Sequence, residues 1–278
     1  MIWRCGNRLI DVTRPVVMGV LNVTPDSFAD GGRYATAAAA DDRAAQIARE
    51  GAAIIDVGGE SSRPGAEPVP EQIEIDRVVP VIERIASRFD IAISVDTVKP
   101  AVMAAAAAAG ACIVNDVRAL GAAGARDWAA GAGVGVCLMH MRGEPRTMQE
   151  NPAYGDVVAE VAAFLRHERD ACLRAGVRAD SIVLDPGIGF GKSLAHNLTL
   201  LKELAVFAGL GAPLLVGVSR KSLIGRVLGR GVDERLYGGL GLAALAVSLG
   251  ARIIRTHDVA ATCDAAAMVS AAMQGIDT

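Results

Sequence analysis

Aromatic residues are scarce in this chain: two Trp, three Tyr and five Phe make up 4% of its 278 residues. Any core must be filled with aliphatic and alanine side chains, and a hydrophobic share of 52% supplies enough of them for one full-sized domain. Cysteine is equally thin. Cys5, Cys112, Cys137, Cys172 and Cys263 are odd in number, scattered and free of any C-x-x-C pair, which argues against a disulfide framework or a structural zinc site. The four histidines show no H-x-x-x-H or H-E-x-x-H spacing, which argues against catalytic zinc. No apolar run approaches the roughly 18 residues needed to cross a bilayer, and the start, Met1 to Asn7, is not an apolar signal segment. A soluble, cytoplasmic protein without a membrane partner is expected. The 28 basic and 31 acidic residues intermix to a net charge of -3, with no Lys/Arg stripe for a phosphate backbone, so nucleic acid is not expected as a partner.

What the chain does have is a repeated pattern of short apolar runs that end abruptly in polar residues. Eight such runs lie at residues 16–21, 53–57, 91–95, 112–114, 134–139, 182–184, 214–218 and 253–254 with flanks. They are near-continuous rather than alternating, as parallel strands covered on both faces should be. The intervals hold helical stretches at 37–50, 71–89, 100–109, 157–175, 194–208 and 237–249. Pro100 suits a first helical turn, and the alanines of 104–109 are the strongest helix formers available. Eight βα units predict an α/β fold of the (β/α)8 TIM-barrel type rather than an open doubly wound sheet. The expected organisation is a single domain over 1–278, with 1–15 as an N-terminal cap, 16–260 as the barrel and 261–278 as a C-terminal helix.

In such barrels chemistry gathers where the strands end. The residues there are Asn22, Glu60, Asp96, Asn115, His140, Asp185, Ser219 with Arg220 and Lys221, and Arg255 with His257. Singly, Asp, Asn and Ser at strand ends also serve as helix caps. Capping has no use for the cations Lys221, Arg255 and His257 at the last two strand ends, where barrels bind phosphate, so the ring as a whole points to an anionic ligand. The glycine-rich stretch Asp185-Pro186-Gly187-Ile188-Gly189-Phe190-Gly191-Lys192 lacks the spacing of a nucleotide loop. Its glycines instead let backbone pass close to a flat ligand, with Phe190 as an apolar wall.

Several motifs then carry a family resemblance. Asn22-Val23-Thr24-Pro25-Asp26-Ser27-Phe28 with Asp30-Gly31-Gly32, Asp56-Val57-Gly58-Gly59-Glu60-Ser61-Ser62-Arg63-Pro64-Gly65, Ser94-Val95-Asp96-Thr97 and Asn115-Asp116-Val117 stand in order. Met139-His140-Met141-Arg142-Gly143, the 184–192 stretch, Ser219-Arg220-Lys221-Ser222 and Arg255-Thr256-His257-Asp258-Val259 follow. Together, over residues 16–260, the chain resembles the dihydropteroate synthase family. The resemblance implies condensation of 6-hydroxymethyl-7,8-dihydropterin diphosphate with 4-aminobenzoate to 7,8-dihydropteroate and diphosphate, in folate biosynthesis. It implies an SN1-like course, in which the C–O bond breaks before the arylamine attacks.

The same resemblance distributes roles. Asp96, Asn115 and Asp185 pair with the polar edge of the pterin ring, Met139 and Phe190 face it, and Lys221 contacts both substrates. Asn22, Ser61, Arg63, Arg255 and His257 form the diphosphate site, with Asn22 as ligand to Mg2+. Phe28, Ser62, Pro64, Arg220, Lys221 and Ser222 form the 4-aminobenzoate site. Asp30, together with Arg63, Lys221, Arg255 and His257, completes the catalytic set, although Asp26 and Asp30 also suit plain turn formation. Ser62 departs from the threonine common in the family, a lost methyl worth about 1 kcal/mol in discrimination. Sulfonamide sensitivity and a homodimer formed through the late helices are further expectations. The alternatives are a pterin-dependent methyltransferase barrel, a Schiff-base aldolase using Lys221, and a pterin-binding paralogue without turnover.

Overall fold

Each apolar run becomes a strand because aliphatic side chains on both of its faces find cover, inward in a barrel and outward under helices. The computed structural model describes residues 1–24, 33–61, 65–144 and 146–274. The chain opens with an antiparallel hairpin of β1 (Ile2–Cys5) and β2 (Arg8–Asp11). Strands β3 (Val16–Asn22), β4 (Ile54–Gly58), β5 (Ala92–Asp96), β6 (Ile113–Asp116), β7 (Gly135–Met139), β8 (Ile182–Asp185), β9 (Leu214–Gly217) and β10 (Ala251–Thr256) then run parallel, and β10 pairs back onto β3 to close the barrel. All eight expected strands form, and the fold is the TIM barrel anticipated from the apolar runs.

Helices occupy the intervals. They are α1 (Arg33–Arg49), α2 (Glu71–Arg88), α3 (Pro100–Ala109), α4 (Ala125–Ala132), α5 (Val157–Arg174), α6 (Leu194–Lys202), α7 (Leu204–Ala208), α8 (Ser222–Leu228), α9 (Leu236–Ser248) and α10 (Val259–Gln274). Pro100 is the first residue of α3, as its fixed φ favours. One expectation is corrected: 194–208 is two helices, because Glu203 leaves helical geometry at φ -102 and ψ 23. Helix α4 lies in an interval where the sequence reading placed none, and α8 precedes the helix expected at 237–249.

Alternation along the strands divides the apolar residues into two clusters. Outward residues such as Val17, Ile55, Ile93, Val114, Val136, Leu184, Val216 and Ile254 pack with the helices. Inward residues at the N-terminal end, Met18, Ile54, Ala92, Ile113, Cys137, Val183, Leu215 and Ile253, form a separate cluster with Trp3, Cys5 and Val12 from the opening segment. The hairpin therefore plugs the bottom of the barrel. Trp3 and Cys5 are fully buried, and the Trp3 indole donates to the Ser181 carbonyl at 2.9 Å. Gly135 is required beneath them, since a Cβ there would stand 2.6 Å from Cys5 Sγ.

Candidate active site

Above the apolar plug, the same alternation turns polar side chains into the barrel. The register sets Asp56 beside Ser94, Gly58 beside Asp96, Asp96 beside Asn115, Met139 beside Asp185 and Gly217 beside Arg255. Arg255 spans the interior: its Nε donates to Asp56 Oδ2 at 2.6 Å and its Nη2 to Asp96 Oδ2 at 2.7 Å. Asn115 Nδ2 donates to the same Asp56 oxygen at 3.1 Å. One guanidinium thus bridges two carboxylates from neighbouring strands, and an amide from a third strand completes the lattice.

Electrostatics follow from that burial. Desolvation pushes the Asp96 carboxyl up to about 7 against the pull of Arg255, and Asp56 adds to the rise. Burial works against charge on Arg255, yet Asp56 and Asp96 hold its guanidinium above the ordinary arginine value. Asp185 is raised by burial, with Lys221 opposing, and accepts from the Gly187 amide at 2.7 Å. Lys221 is drawn down to about 8 by burial, with Asp185 opposing. Its ammonium donates to the Ile188 carbonyl and lies 4.7 Å from the centre of the Phe190 ring. Carboxylates and cations with displaced proton affinities, converging from separate strands, are what a site for a polar heterocycle requires.

The glycine-rich loop between β8 and α6 forms one side of this interior. Gly187 and Gly191 have φ of 67 and 61, and a Cβ on them would stand 1.9 Å from the His140 carbonyl oxygen and 2.1 Å from that of Arg142. No other residue permits so close an approach to the β7–α5 connection. The Gly189 amide donates to Asn197 Oδ1 at 2.6 Å, and its carbonyl accepts from Gln149 at 2.7 Å. The Gly191 carbonyl accepts from the Tyr154 hydroxyl at 2.9 Å.

The remaining ring residues divide by direction. Asn22 ends β3 at the barrel mouth, where a Cβ on Gly58 would meet Asn22 Oδ1 at 3.5 Å and Asp96 Cβ at 3.7 Å. His257 Nδ1 and its backbone amide both lie 3.1 Å from Ser219 Oγ, and Arg43 donates to its carbonyl at 2.5 Å. Arg220, at φ 58, turns to Asp258 at 2.5 Å, and Ser222 is exposed at the start of α8. Ser61 is partly buried just beyond β4. Two members leave the ring. Glu60 accepts from the Val69 amide at 2.9 Å and from Lys99, and His140 points to Lys192. Phe28, Asp30, Ser62, Arg63 and Pro64 lie outside the described residues.

Sequence reasoning missed Asp56, which it quoted only within a motif. A carboxylate inside Ile54-Ile55-Asp56-Val57 was the available signal, since a charge within an apolar strand requires a partner. Arg255 is that partner, so the cation expected to stand free for an anion is paired with two carboxylates here.

The chain matches the pterin binding enzyme family over residues 18–257. It is 51% identical over 264 residues to the dihydropteroate synthase of Escherichia coli K12, covering 95% of this chain and 94% of that protein. It is 42% identical to the dihydropteroate synthase of Bacillus subtilis, over 93% of this chain and 88% of that one. Among solved structures, the Yersinia pestis dihydropteroate synthase in complex with a sulfonamide drug superposes with a TM-score of 0.93 at 46% identity, covering 98% of this chain and 99% of the other. The Xanthomonas albilineans dihydropteroate synthase with 4-aminobenzoic acid gives the same score and identity, over 98% of both chains. With likeness of this extent in sequence and in backbone, the chain belongs to the pterin-binding enzymes and, within them, to the dihydropteroate synthases.

Proposed function

We propose that this protein joins 6-hydroxymethyl-7,8-dihydropterin diphosphate to 4-aminobenzoate, giving 7,8-dihydropteroate and diphosphate. The observation that carries the reading is the convergence of Asp96, Asn115 and Asp185 from three strands, with Lys221 over a glycine-rich wall. Carboxylates accept from the amino and ring N–H groups of a pterin, while the amide and the ammonium donate to its carbonyl and ring nitrogens. Arg255 orients Asp96 through the 2.7 Å contact, and Met139 supplies an apolar face at the level of Asp185. Tight pairing in a desolvated cavity places the methylene carbon toward the mouth, where Asn22 and His257 lie.

The SN1-like course fits this arrangement. Breaking the C–O bond leaves a cation delocalised over the electron-rich ring, and interior carboxylates stabilise that charge as it develops. The arylamine then attacks and loses its proton to solvent, so no strong base is needed. Among the described residues no group of three or more His, Cys, Asp and Glu side chains could hold a metal ion. A hard cation that brings phosphate oxygens and water needs little more than one protein oxygen, and the amide oxygen of Asn22 at the mouth fits that demand. Magnesium held there would neutralise charge on the departing diphosphate.

The same reading includes a homodimer in the cytoplasm. Tyr237, Leu245 and Met268 are 83%, 39% and 70% exposed on α9 and α10, an apolar surface suited to a second copy. No helix among the described residues is long and apolar enough to cross a membrane, and four of the five free cysteines are buried. The experiment is diphosphate release from purified protein with the pterin diphosphate and magnesium, with and without 4-aminobenzoate. Release that yields dihydropteroate only with 4-aminobenzoate, and falls about a hundredfold or more in K221A, is expected. Pterin binding without release would establish a non-catalytic paralogue instead.

A further inference from the structure

Lys192 is among the largest fully enclosed side chains in the molecule, 1% exposed, and among the described residues its ammonium forms no ion pair with a carboxylate. Its ammonium instead gathers main-chain oxygens. It donates to the carbonyls of Gly187 at 2.8 Å, Phe190 at 2.9 Å and His140 at 3.2 Å, and lies 2.9 Å from His140 Nδ1. Those four acceptors belong to two segments: the turn that follows β8 and the end of β7. A buried charge held by neutral acceptors is costly, and burial draws Lys192 down to about 7 against the pull of the nearby Asp185. A methionine would fill the same volume without that cost, so packing does not explain a lysine here.

The loop it binds is the one that shapes the site. Within six residues, Gly187 donates to Asp185, Ile188 accepts from Lys221, and Phe190 lies under the Lys221 ammonium. The ammonium draws the Gly187 and Phe190 carbonyls toward one point. That leaves the Gly187 amide and the Ile188 carbonyl directed inward, to Asp185 and Lys221. His140 is held as an acceptor, because burial and the neighbouring Lys192 push its imidazole down to about 3 and keep it neutral. Its ring is set edge-on to Phe164, with centroids 4.9 Å apart.

We propose that Lys192 is a positioning residue for the condensation: by tying the carbonyls of Gly187, Phe190 and His140 to one buried ammonium, it fixes the turn that presents Asp185 and Lys221 to the pterin. The inference rests on the reading of the interior as a pterin site. Lys192 touches neither substrate, and it acts through the backbone that two site residues bind.

The test compares wild type with K192M, which keeps length and loses every donor. Two quantities are measured: KM for each substrate, and the affinity for 6-hydroxymethylpterin by calorimetry without 4-aminobenzoate. Circular dichroism and a thermal midpoint above the assay temperature establish that the variant is folded. The expected result is pterin affinity weakened about tenfold or more, with a matching rise in KM for the pterin diphosphate and KM for 4-aminobenzoate within about twofold. A merely structural lysine would lower the midpoint and leave both KM values where they were, and that outcome overturns the proposal. If K192M does not fold, Q149A decides the matter, because Gln149 is an exposed clamp on the Gly189 carbonyl of the same turn. A rise of about threefold in the pterin KM alone upholds control by the turn, and no change overturns it. Wild-type protein that neither binds the pterin nor turns over would overturn the pterin reading itself, a result separate from either variant's.

Discussion

Halfway along its axis the barrel interior changes material. Below, Met18, Ile54, Ile113, Val183, Leu215 and Ile253 meet the Trp3 and Cys5 side chains of the hairpin in an apolar cluster. Above, two carboxylates share a guanidinium, and Asp185 and Lys221 face the same space. The strands are the same, so the difference comes from which residue follows two places later. Ile54 becomes Asp56, Ala92 becomes Ser94 and then Asp96, Ile113 becomes Asn115, and Ile253 becomes Arg255. The lower layer gains from leaving water. The upper layer loses by it, and the loss appears as displaced proton affinities in Asp96, Asp185 and Lys221.

If stability resides below and chemistry above, variants in the two layers should separate them. W3A should show the largest effect on stability, about 4 kcal/mol in denaturant unfolding, because it empties a fully buried site at the barrel base. Its kcat/KM at 25 °C should stay within about twofold of wild type, and a large loss of activity would break the division. D56A should cost less, about 3 kcal/mol, by leaving Arg255 with one carboxylate instead of two. Here kcat/KM should fall as well, since Arg255 would no longer be held against Asp96.

The smallest effect is in the pH profile of kcat/KM, which reports groups of the free enzyme. Asp96 must be ionised to accept from the pterin, so activity should rise with pH through its titration near 7. Lys221 must be protonated to donate, so activity should decline above its own near 8. A profile flat from 6 to 9 would show that neither group titrates where its burial places it. For folding the sign is opposite for Asp96: a carboxyl raised above its unfolded value favours the native state at low pH, and that contribution is lost as pH rises toward 7.

Much of this architecture was legible in the sequence, because a parallel barrel strand is an apolar run and its end is where polarity begins. The ring of strand-end residues was read one position too generously. Met139 and His140 are consecutive, yet only the first shares the level of Asp185 inside the barrel, and the second turns out to Lys192. Lys221 and Arg220 divide in the same way, one toward Ile188 and the other toward Asp258. The break at Glu203 left no trace, since neither Gly nor Pro marks it and the apolar period continues across it. Lys192 was hidden for another reason: a lysine closing a glycine-rich stretch reads as a surface or phosphate residue, and only the fold shows it enclosed.

The plug at the barrel base also has a consequence for how the chain comes into being. Trp3 is bonded to a carbonyl 178 residues further on, and β3 finds its last neighbour in β10, where Ile253 pairs with Val16. During synthesis from the N-terminus, the first hairpin emerges long before the strands that will receive it. The indole therefore waits, uncovered, until the segment around Ser181 has been made, and the open edge of β3 until β10 has followed. Closure of the ring is the step at which β3 and β10 meet, and contacts of that sequence separation make it the slow one.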